Sequence, residues 1–123
     1  MIRCVTRSVL VVDDDPEFRE LARRLLAASG LTVVGEADSV AAALEVAVQL
    51  RPSAVLLDVE LPDGDGVTLA RELAALPWRP RVVLTSIDGD ITTTDEARHA
   101  GARGFVNKAD LPNVPLWELL GGG

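Results

Sequence analysis

Three short apolar runs, separated by longer helical patterns, constrain the fold of this chain more than any other feature. They are VLVV at 9–12, AVLL at 54–57 and VVL at 82–84. In each run the apolar residues are continuous rather than alternating with polar ones, which is typical of strands buried on both faces. The runs therefore predict an α/β protein in which helices cover both faces of a parallel sheet.

Helical patterns lie between the apolar runs, so that strands and helices alternate along the chain. The strands are predicted at Ser8–Val12, Leu31–Glu36, Ala54–Leu57, Arg81–Thr85 and Gly104–Val106. The helices are predicted at about Pro16–Ala28, from the cap Ser39 to just before Pro52, at about Gly66–Leu76, near Thr93–Ala100 and, as a short last helix, near Pro115–Leu120. With right-handed crossovers this order predicts a three-layer, doubly wound sandwich around a five-stranded parallel sheet. We expect a single domain over residues 1–123, with its core at about 8–120.

The spacing of apolar residues also predicts the buried faces of the first three helices. The residues expected to face the sheet are Phe18, Leu21, Ala22, Leu25 and Leu26 in the first helix, Val40, Leu44, Ala47 and Val48 in the second, and Leu69, Ala70 and Leu73 in the third. Asp15 is a favourable N-cap for the first helix, and Pro16 suits its first turn.

Charge and cysteine content exclude several classes of function. The formal net charge of −7 argues against direct binding of nucleic acid or of an anionic membrane, both of which need a basic surface. The apolar runs are too short to span a membrane. Cys4 is the only cysteine, so an intramolecular disulfide is impossible and the composition fits a reducing cytoplasm.

Polar and charged side chains stand where the predicted strands end. They are Asp13, Asp14, Asp15, Asp58, Thr85 and Lys108, the last being the only lysine of the chain. In open α/β sheets ligands bind outside the carboxyl ends of the strands, so we expect these side chains to form one site.

The carboxylates of this set predict a metal ion and a phosphoryl group. If Asp15 caps the first helix, Asp13 and Asp14 remain beside Asp58, and three packed carboxylates repel one another unless a cation lies among them. Hard oxygen ligands suit Mg²⁺, which commonly shares a phosphate oxygen. Asp58 is then placed as the nucleophile that accepts the phosphoryl group, and Lys108 would stabilise the charge on that group.

Four motifs in this order resemble the receiver domains of bacterial two-component response regulators. They are VLVVDDD at 9–15, VLLDVELPDGDG at 55–66, VVLTS at 82–86 and GARGFVNK at 101–108. The resemblance implies a flavodoxin-like (CheY-like) fold. It implies that a sensor histidine kinase or a phosphotransfer protein donates a phosphoryl group to Asp58 and that Mg²⁺ is required. It also implies a cytoplasmic signalling phosphoprotein rather than an enzyme, apart from self-catalysed phosphorylation and dephosphorylation.

The resemblance further implies roles for individual residues of the site. Asp14 would bind the metal directly, Asp13 through water and Glu60 through its backbone carbonyl, with Asp58 completing the metal site. Lys108 would hold the phosphoryl group after transfer.

Thr85 and Phe105 would form a switch pair, again by resemblance. The Thr85 hydroxyl would bond to the phosphoryl group and move inward, which leaves space for Phe105 to rotate into the core. The face formed by the fourth helix, the fifth strand and the fifth helix would then change its affinity for a downstream effector or output domain. A homodimer through this variable face is also compatible with the family.

Three features depart from the family pattern. Ala109 follows Lys108 where many relatives have proline, which excludes a cis-proline at that point. The stretch from Thr85 to Lys108 is one residue longer than expected, so Ser86 is an alternative to Thr85 as the switch hydroxyl. The fourth helix is rich in threonine, and we expect elevated disorder across Asp88–Glu96.

Two other functions stay open on the sequence alone. One is a receiver-like interaction module that binds partners without phosphorylation. The other is an aspartyl-phosphate phosphatase of the haloacid-dehalogenase type, in which Asp13 and Asp15 would form the D-x-D motif, although Glu17 stands where that family has Thr or Val. Substitution of Asp58 separates the three: a receiver loses switching, a phosphatase relying on Asp13 loses little, and an interaction module keeps its partner.

The acidic segment Asp63-Gly64-Asp65-Gly66 is predicted to be a turn. It fails the D-x-D-x-D-G pattern of a calcium loop and lacks the distal Glu. Trp78 and Trp117 are predicted to be packing residues.

Overall fold

A central parallel sheet organises the chain. The structure is a computed structural model that describes residues 7–87 and 94–121, with residues 94 and 95 described by their backbone alone. The five strands of the sheet are, in chain order, β1 (Ser8–Val12), β2 (Thr32–Ala37), β3 (Ala54–Asp58), β4 (Arg81–Ser86) and β5 (Gly104–Asn107). Across the sheet they lie in the order β2-β1-β3-β4-β5, all parallel. This order reverses direction between β1 and β3, which confirms the predicted doubly wound, flavodoxin-like class.

Four α-helices accompany the strands in the described residues. They are α1 (Pro16–Ala28), α2 (Val40–Leu50), α3 (Gly66–Ala74) and α4 (Thr94–His99). Two short strands, Glu60–Leu61 and Gly64–Asp65, pair antiparallel and form a small hairpin between β3 and α3. The predicted turn in the acidic segment thus exists, and Asp65 ends it as the N-cap of α3.

The chain after β5 differs from the single short helix that was predicted near its end. It enters a 3₁₀ helix, Lys108–Asn113, and then a five-residue π-helical turn, Trp117–Gly121. Pro112 and Pro115 explain the interruption, because neither has the amide donor that a continuous α-helix needs.

Side chains of the strands alternate between two buried clusters, one on each face of the sheet. In β1, Leu10 and Val12 belong to the first core cluster, which α2 and α3 cover. Val9 and Val11 belong to the second core cluster, which α1 and the segment after β5 cover. Because both faces of the central strands are covered, their sequences are continuous apolar runs.

The buried faces of α1 and α2 are narrower than predicted. The predicted residues that are buried are Phe18, Ala22, Leu26, Ala47, Leu69, Ala70 and Leu73. The prediction was wrong for Leu21, which is 41% exposed, and for Val48, which is 60% exposed. Ala43 is buried instead, and together with Ala47 it gives α2 a small-residue face that can approach the sheet closely. Leu25, Val40 and Leu44 are partly buried against the two core clusters.

Several predictions fall on residues that the structure does not describe. Cys4 and most of Asp88–Glu96 are among them. Within residues 7–87 and 94–121, no helix has both the length and the apolar character that crossing a membrane requires.

Candidate functional site

Four predicted site residues lie together at the carboxyl edge of the sheet. Val11, Leu56, Val83 and Val106 all belong to the second core cluster. The residues two positions later are Asp13, Asp58, Thr85 and Lys108. Since side chains two residues apart lie on the same face of a strand, Asp58 and Thr85 arrive at the carboxyl edge on the side of the second core cluster. Asp13 and Lys108 lie one residue beyond their strands, and the ion pairs of Lys108 bring both to Asp58.

Lys108 joins two of the carboxylates. Its Nζ lies 2.7 Å from Asp13 Oδ2 and 3.2 Å from Asp58 Oδ2. The same ammonium group lies over the Phe18 ring, 4.6 Å from the ring centre, which is within the range of a cation–π contact. Lys108 is therefore held between negative charge on one side and an aromatic face on the other.

The second oxygen of each buried carboxylate accepts a backbone hydrogen bond. The amide of Asp15 donates to Asp13 Oδ1 at 2.9 Å, and the amide of Glu60 donates to Asp58 Oδ1 at 3.1 Å. Asp15 itself caps α1 as predicted, since its Oδ1 accepts from the amide of Glu17 at 3.0 Å. Both buried carboxylates are thus fixed in rotation, while Asp15 is used by the helix and not by the cluster.

Burial controls the protonation of this cluster. Burial raises the pKa of Asp13 and that of Asp58, and Lys108 opposes this only in part. Burial also lowers the pKa of Lys108, but the hydrogen bond and charge of Asp13 and those of Asp58 outweigh it, so this pKa lies above its ordinary value. Lys108 is therefore protonated at neutral pH, and the charged carboxylates would gain from further positive charge.

The donor set at this edge fits Mg²⁺. Asp13, Asp14 and Asp58 each offer a carboxylate oxygen, and these atoms lie within 4.8 Å of one another. Asp13 and Asp58 are buried, whereas Asp14 is exposed and would leave water access on one side. Hard oxygen donors with room for water match the preference of Mg²⁺. For Glu60 the amide is the group that contacts Asp58, and the role of its carbonyl stays a prediction.

Thr85 and Ser86, the two candidates for the switch hydroxyl, point to opposite faces of the sheet. Thr85 is paired in register with Asp58, and its hydroxyl donates to a β3 backbone carbonyl at 3.5 Å. Ser86 follows Leu84 in the alternation and so lies on the side of the first core cluster. Phe105 is half-buried against that first cluster too. The two predicted switch residues, Thr85 and Phe105, therefore lie on different faces of the sheet.

Two residues at the site were not predicted. A side chain at Gly66 would collide with the carbonyl oxygen of Asp58 and lie 2.6 Å from Cα of Val59, so glycine lets α3 begin against β3. Arg19 donates from Nη1 to the carbonyl oxygen of Asp13 at 2.6 Å. The position of Gly66 after a turn was a usable signal, but a bond to a main-chain carbonyl leaves no pattern in the sequence.

Known proteins are similar to this chain in sequence. A family model for the response regulator receiver domain matches residues 9–113. A putative transcriptional regulator of Pseudomonas aeruginosa is 37% identical over 112 residues, which are 91% of this chain and 52% of that protein. The chemotaxis protein CheY of Bacillus subtilis is 31% identical over 100 residues, which are 81% of this chain and 83% of that protein.

A solved structure agrees with the sequence matches. The receiver domain of the putative response regulator NarL from Mycobacterium tuberculosis is similar with a TM-score of 0.82 and 34% identity, over 98% of this chain and all 100% of that one. The chain spans about half, 52%, of the length of the Pseudomonas regulator. Because the family match extends over residues 9–113 and includes every predicted site residue, the chain belongs to the response regulator receiver domain family.

Proposed function

We propose that this receiver domain accepts a phosphoryl group on Asp58 in a Mg²⁺-dependent reaction. The position of Asp58 carries the proposal. The residue ends the central strand β3, and its Oδ2 lies 3.2 Å from Lys108 Nζ. Its carboxylate also lies with those of Asp13 and Asp14 in one group whose oxygens are within 4.8 Å. A nucleophile, an ammonium group and a candidate metal site thus share one edge of the sheet.

The proposed transfer is an attack of the Asp58 carboxylate on the phosphorus atom of the donor. An O–P bond forms at Asp58 while the P–N bond of a phosphohistidine breaks, and the electron pair of that bond stays on the imidazole nitrogen. Asp13, Asp14 and Asp58 would hold Mg²⁺, which would supply positive charge for the transfer. Lys108 supplies the second positive charge, because its raised pKa keeps it protonated.

Lys108 is placed to follow the phosphoryl group after transfer. In the unmodified chain its ammonium is shared between Asp13 and Asp58. Once Asp58 carries a phosphoryl group, that group adds strong acceptors and about two negative charges. Thr85, opposite Asp58 in the register, can then exchange its long 3.5 Å bond for one to a phosphoryl oxygen.

The signal would leave the site through the segment after β5. Lys108 is the first residue of the 3₁₀ helix, so a movement of its side chain bears directly on that helix and on the neighbouring β5. We propose the face of α4, β5 and this segment as the surface for a downstream effector or output domain, or for a second receiver. A sensor histidine kinase or phosphotransfer protein of the cytoplasm is the proposed donor, and no substrate other than the chain itself is proposed.

The test is the intact mass of the chain after incubation with acetyl phosphate. We expect a gain of one phosphoryl group in the wild type with Mg²⁺, and none with a chelator in place of Mg²⁺. Asp58→Asn should give no adduct. Asp110→Asn is the matched control, because Asp110 is exposed and lies outside the carboxylate cluster, and it should be phosphorylated like the wild type.

The alternatives predict other results. An adduct that persists in Asp58→Asn would show that another residue accepts the phosphoryl group. In a phosphatase of the haloacid-dehalogenase type that residue would be Asp13. The contacts do not favour that function, because Asp13 Oδ2 is engaged by Lys108 at 2.7 Å and Asp15 caps α1. If no variant gives an adduct and fluoroberyllate with Mg²⁺ does not bind, the phosphorylation-independent interaction module would be favoured.

A further inference from the structure

We infer that Arg19 is a positioning residue for the metal site. It holds the peptide between Asp13 and Asp14 in the orientation that directs the Asp14 carboxylate to Mg²⁺. The inference rests on the proposed function, since it concerns the same site. It adds a residue of α1 to a site that otherwise comes from the ends of the strands.

Both sides of the Arg19 guanidinium are anchored. Nη1 donates to the carbonyl oxygen of Asp13 at 2.6 Å. Nε donates to Glu36 Oε1 at 2.9 Å. The Arg19 side chain is 21% exposed, and its bond to the Asp13 carbonyl oxygen is partly buried, so water competes only weakly for that bond.

These contacts close a ring between α1, the loop after β1 and the edge strand β2. The amide of Asp13 donates to the carbonyl oxygen of Ala37 at 3.0 Å, and Ala37 directly follows Glu36 in β2. Asp13 is therefore held through its amide by the backbone of β2 and through its carbonyl by Arg19. Arg23 strengthens the ring, since its Nε lies 3.5 Å from Glu36 Oε2.

Asp14 depends on this ring more than Asp13 does. The Asp13 carboxylate is already fixed by Lys108 and by the amide of Asp15. In the described part of the chain, no side-chain hydrogen bond or ion pair fixes the exposed carboxylate of Asp14, so its direction follows from its backbone. The oxygen that Arg19 binds belongs to the same peptide group as the amide nitrogen of Asp14. Loss of that bond would let the peptide turn and carry the Asp14 carboxylate away from the metal site.

The expected loss of Mg²⁺ affinity can be judged from other metal sites. Removal of a partner that orients a metal ligand typically weakens metal binding by 10–100-fold. For a single ligand of a partly hydrated Mg²⁺ we expect the lower end, an increase in the apparent Kd of about tenfold.

The test compares Arg19→Met with Arg24→Met. Arg24 lies on the same helix, but its Nε pairs with Glu20 at 3.2 Å and its side chain is 76% exposed. The Kd for Mg²⁺ is obtained from the rise in melting temperature with MgCl₂ concentration and checked by calorimetric titration. Arg19→Met should raise the Kd about tenfold, and Arg24→Met should leave it at the wild-type value. Arg19→Lys should recover part of the affinity, because lysine keeps the charge but not the two-sided geometry.

A purely structural role for Arg19 gives a different result. It would lower the melting temperature without Mg²⁺ while the Kd stays unchanged, and this would overturn the inference. If Arg19→Met does not fold, Glu36→Gln and Arg19→Lys carry the test, and wild-type Kd values in both would overturn it.

Failure of the proposed function looks different again. A wild-type chain that binds no Mg²⁺ would overturn both proposals. A wild-type chain that binds Mg²⁺ but accepts no phosphoryl group would overturn the proposed function alone, and the Arg19 comparison would still decide the inference.

Discussion

Lys108 supplies one positive charge to two buried carboxylates, and this imbalance defines the site at the scale of single residues. Asp13 and Asp58 both contact the ammonium group, yet burial still raises the pKa of each. Without a bound cation, the charged form of these carboxylates is therefore less favourable in the folded chain than in the unfolded one. A divalent cation would relieve this cost, which links the affinity for Mg²⁺ to the stability of the domain.

Asp58→Asn should therefore stabilise the domain at pH 7 without Mg²⁺, by about 1 kcal/mol. The pKa of Asp58 is raised by burial, so its contribution to stability is full below the ordinary carboxyl pKa and is lost as the pH rises through the folded pKa. Asparagine carries no charge and avoids that loss. Urea unfolding at pH 7 and at pH 3 measures the effect, and the difference from the wild type should shrink at pH 3. An Asp58→Asn variant that is less stable than the wild type at pH 7 would contradict this prediction. The control Asp110→Asn should be as stable as the wild type at both pH values.

Gly66→Ala should cost about 1–3 kcal/mol of stability and slow the phosphorylation of Asp58. The new methyl group would collide with the Asp58 carbonyl oxygen, so either α3 or the end of β3 must shift. Gly104→Ala is the matched control, because its methyl group would lie at an ordinary 3.6 Å from Leu119 Cδ2. Thermal unfolding and the rate of adduct formation are measured for both. Equal losses in the two variants would show that the tight packing at Gly66 is not the cause.

At the scale of elements, the N-terminus of α2 is capped twice. Ser39 accepts a hydrogen bond from the amide of Ala42 at 3.1 Å. Asp63, which lies in the hairpin after β3, accepts from the amides of Val40 at 2.7 Å and Ala41 at 3.2 Å. The second cap connects the hairpin that follows Asp58 to α2. The loop that carries Glu60 is therefore held at its start by the hydrogen bond from the Glu60 amide to Asp58 and at Asp63 by the bonds to α2.

Asp63→Ala should lower the melting temperature at pH 7 and weaken its dependence on acid pH. The amide of Val40 holds the pKa of Asp63 below its ordinary value. A depressed pKa gives stability that is present above the unfolded pKa and is lost as the pH falls through the folded pKa. Melting curves from pH 7 down to pH 2 should show the wild type and the variant converging in acid. A constant difference across this range would contradict a charge-dependent cap, and Asp110→Ala serves as the control.

The elements that sequence could predict are those whose signals are local. Continuous apolar runs place the strands to within one residue, and Asp15 with Pro16 marks the start of α1. The parallel order of the strands also predicts that Asp58 and Lys108, which come at strand ends, lie at one edge of the sheet. The contacts of Asp63 and Arg19 could not be predicted, since both side chains bind main-chain atoms. Asp63 also joins two elements that are far apart in the chain. The exposed side of α1 at Leu21 was missed for a related reason, because a helical stripe does not show how wide the covering surface is.

At the scale of the whole molecule, two tryptophans report on different parts of the domain. Trp78 lies between α3 and β4, where its Nε1 donates to the carbonyl oxygen of Pro52 at 2.9 Å and Arg51 covers its ring at 4.5 Å. Trp117 lies in the final π-helical turn, on the segment that Lys108 begins. Its ring is covered by Arg7 at 5.1 Å. Trp117 is therefore part of the segment after β5, with its ring beside Gly30 after the end of α1, whereas Trp78 lies outside that segment.

Activation should change the surroundings of Trp117 and leave those of Trp78 unaltered. Fluoroberyllate with Mg²⁺ mimics the phosphoryl group on Asp58, and a movement of Lys108 toward it would act on the segment after β5, which contains Trp117. Acrylamide quenching is measured on Trp78→Phe, which keeps Trp117, and on Trp117→Phe, which keeps Trp78. Quenching should change only in the first variant, and Asp58→Asn should abolish that change.

The outcome depends on knowing that the ligand is bound. At about 100 times its Kd a ligand stabilises the folded state by about 2.7 kcal/mol, so the melting temperature shows occupancy independently of fluorescence. If both variants are stabilised but Trp117 does not respond, the signal does not pass along the segment after β5. If Trp78 responds equally, the change spreads across the whole domain, and the proposed face is not a distinct output surface. A response confined to Trp117 would show that the signal passes from the site along the segment that starts at Lys108.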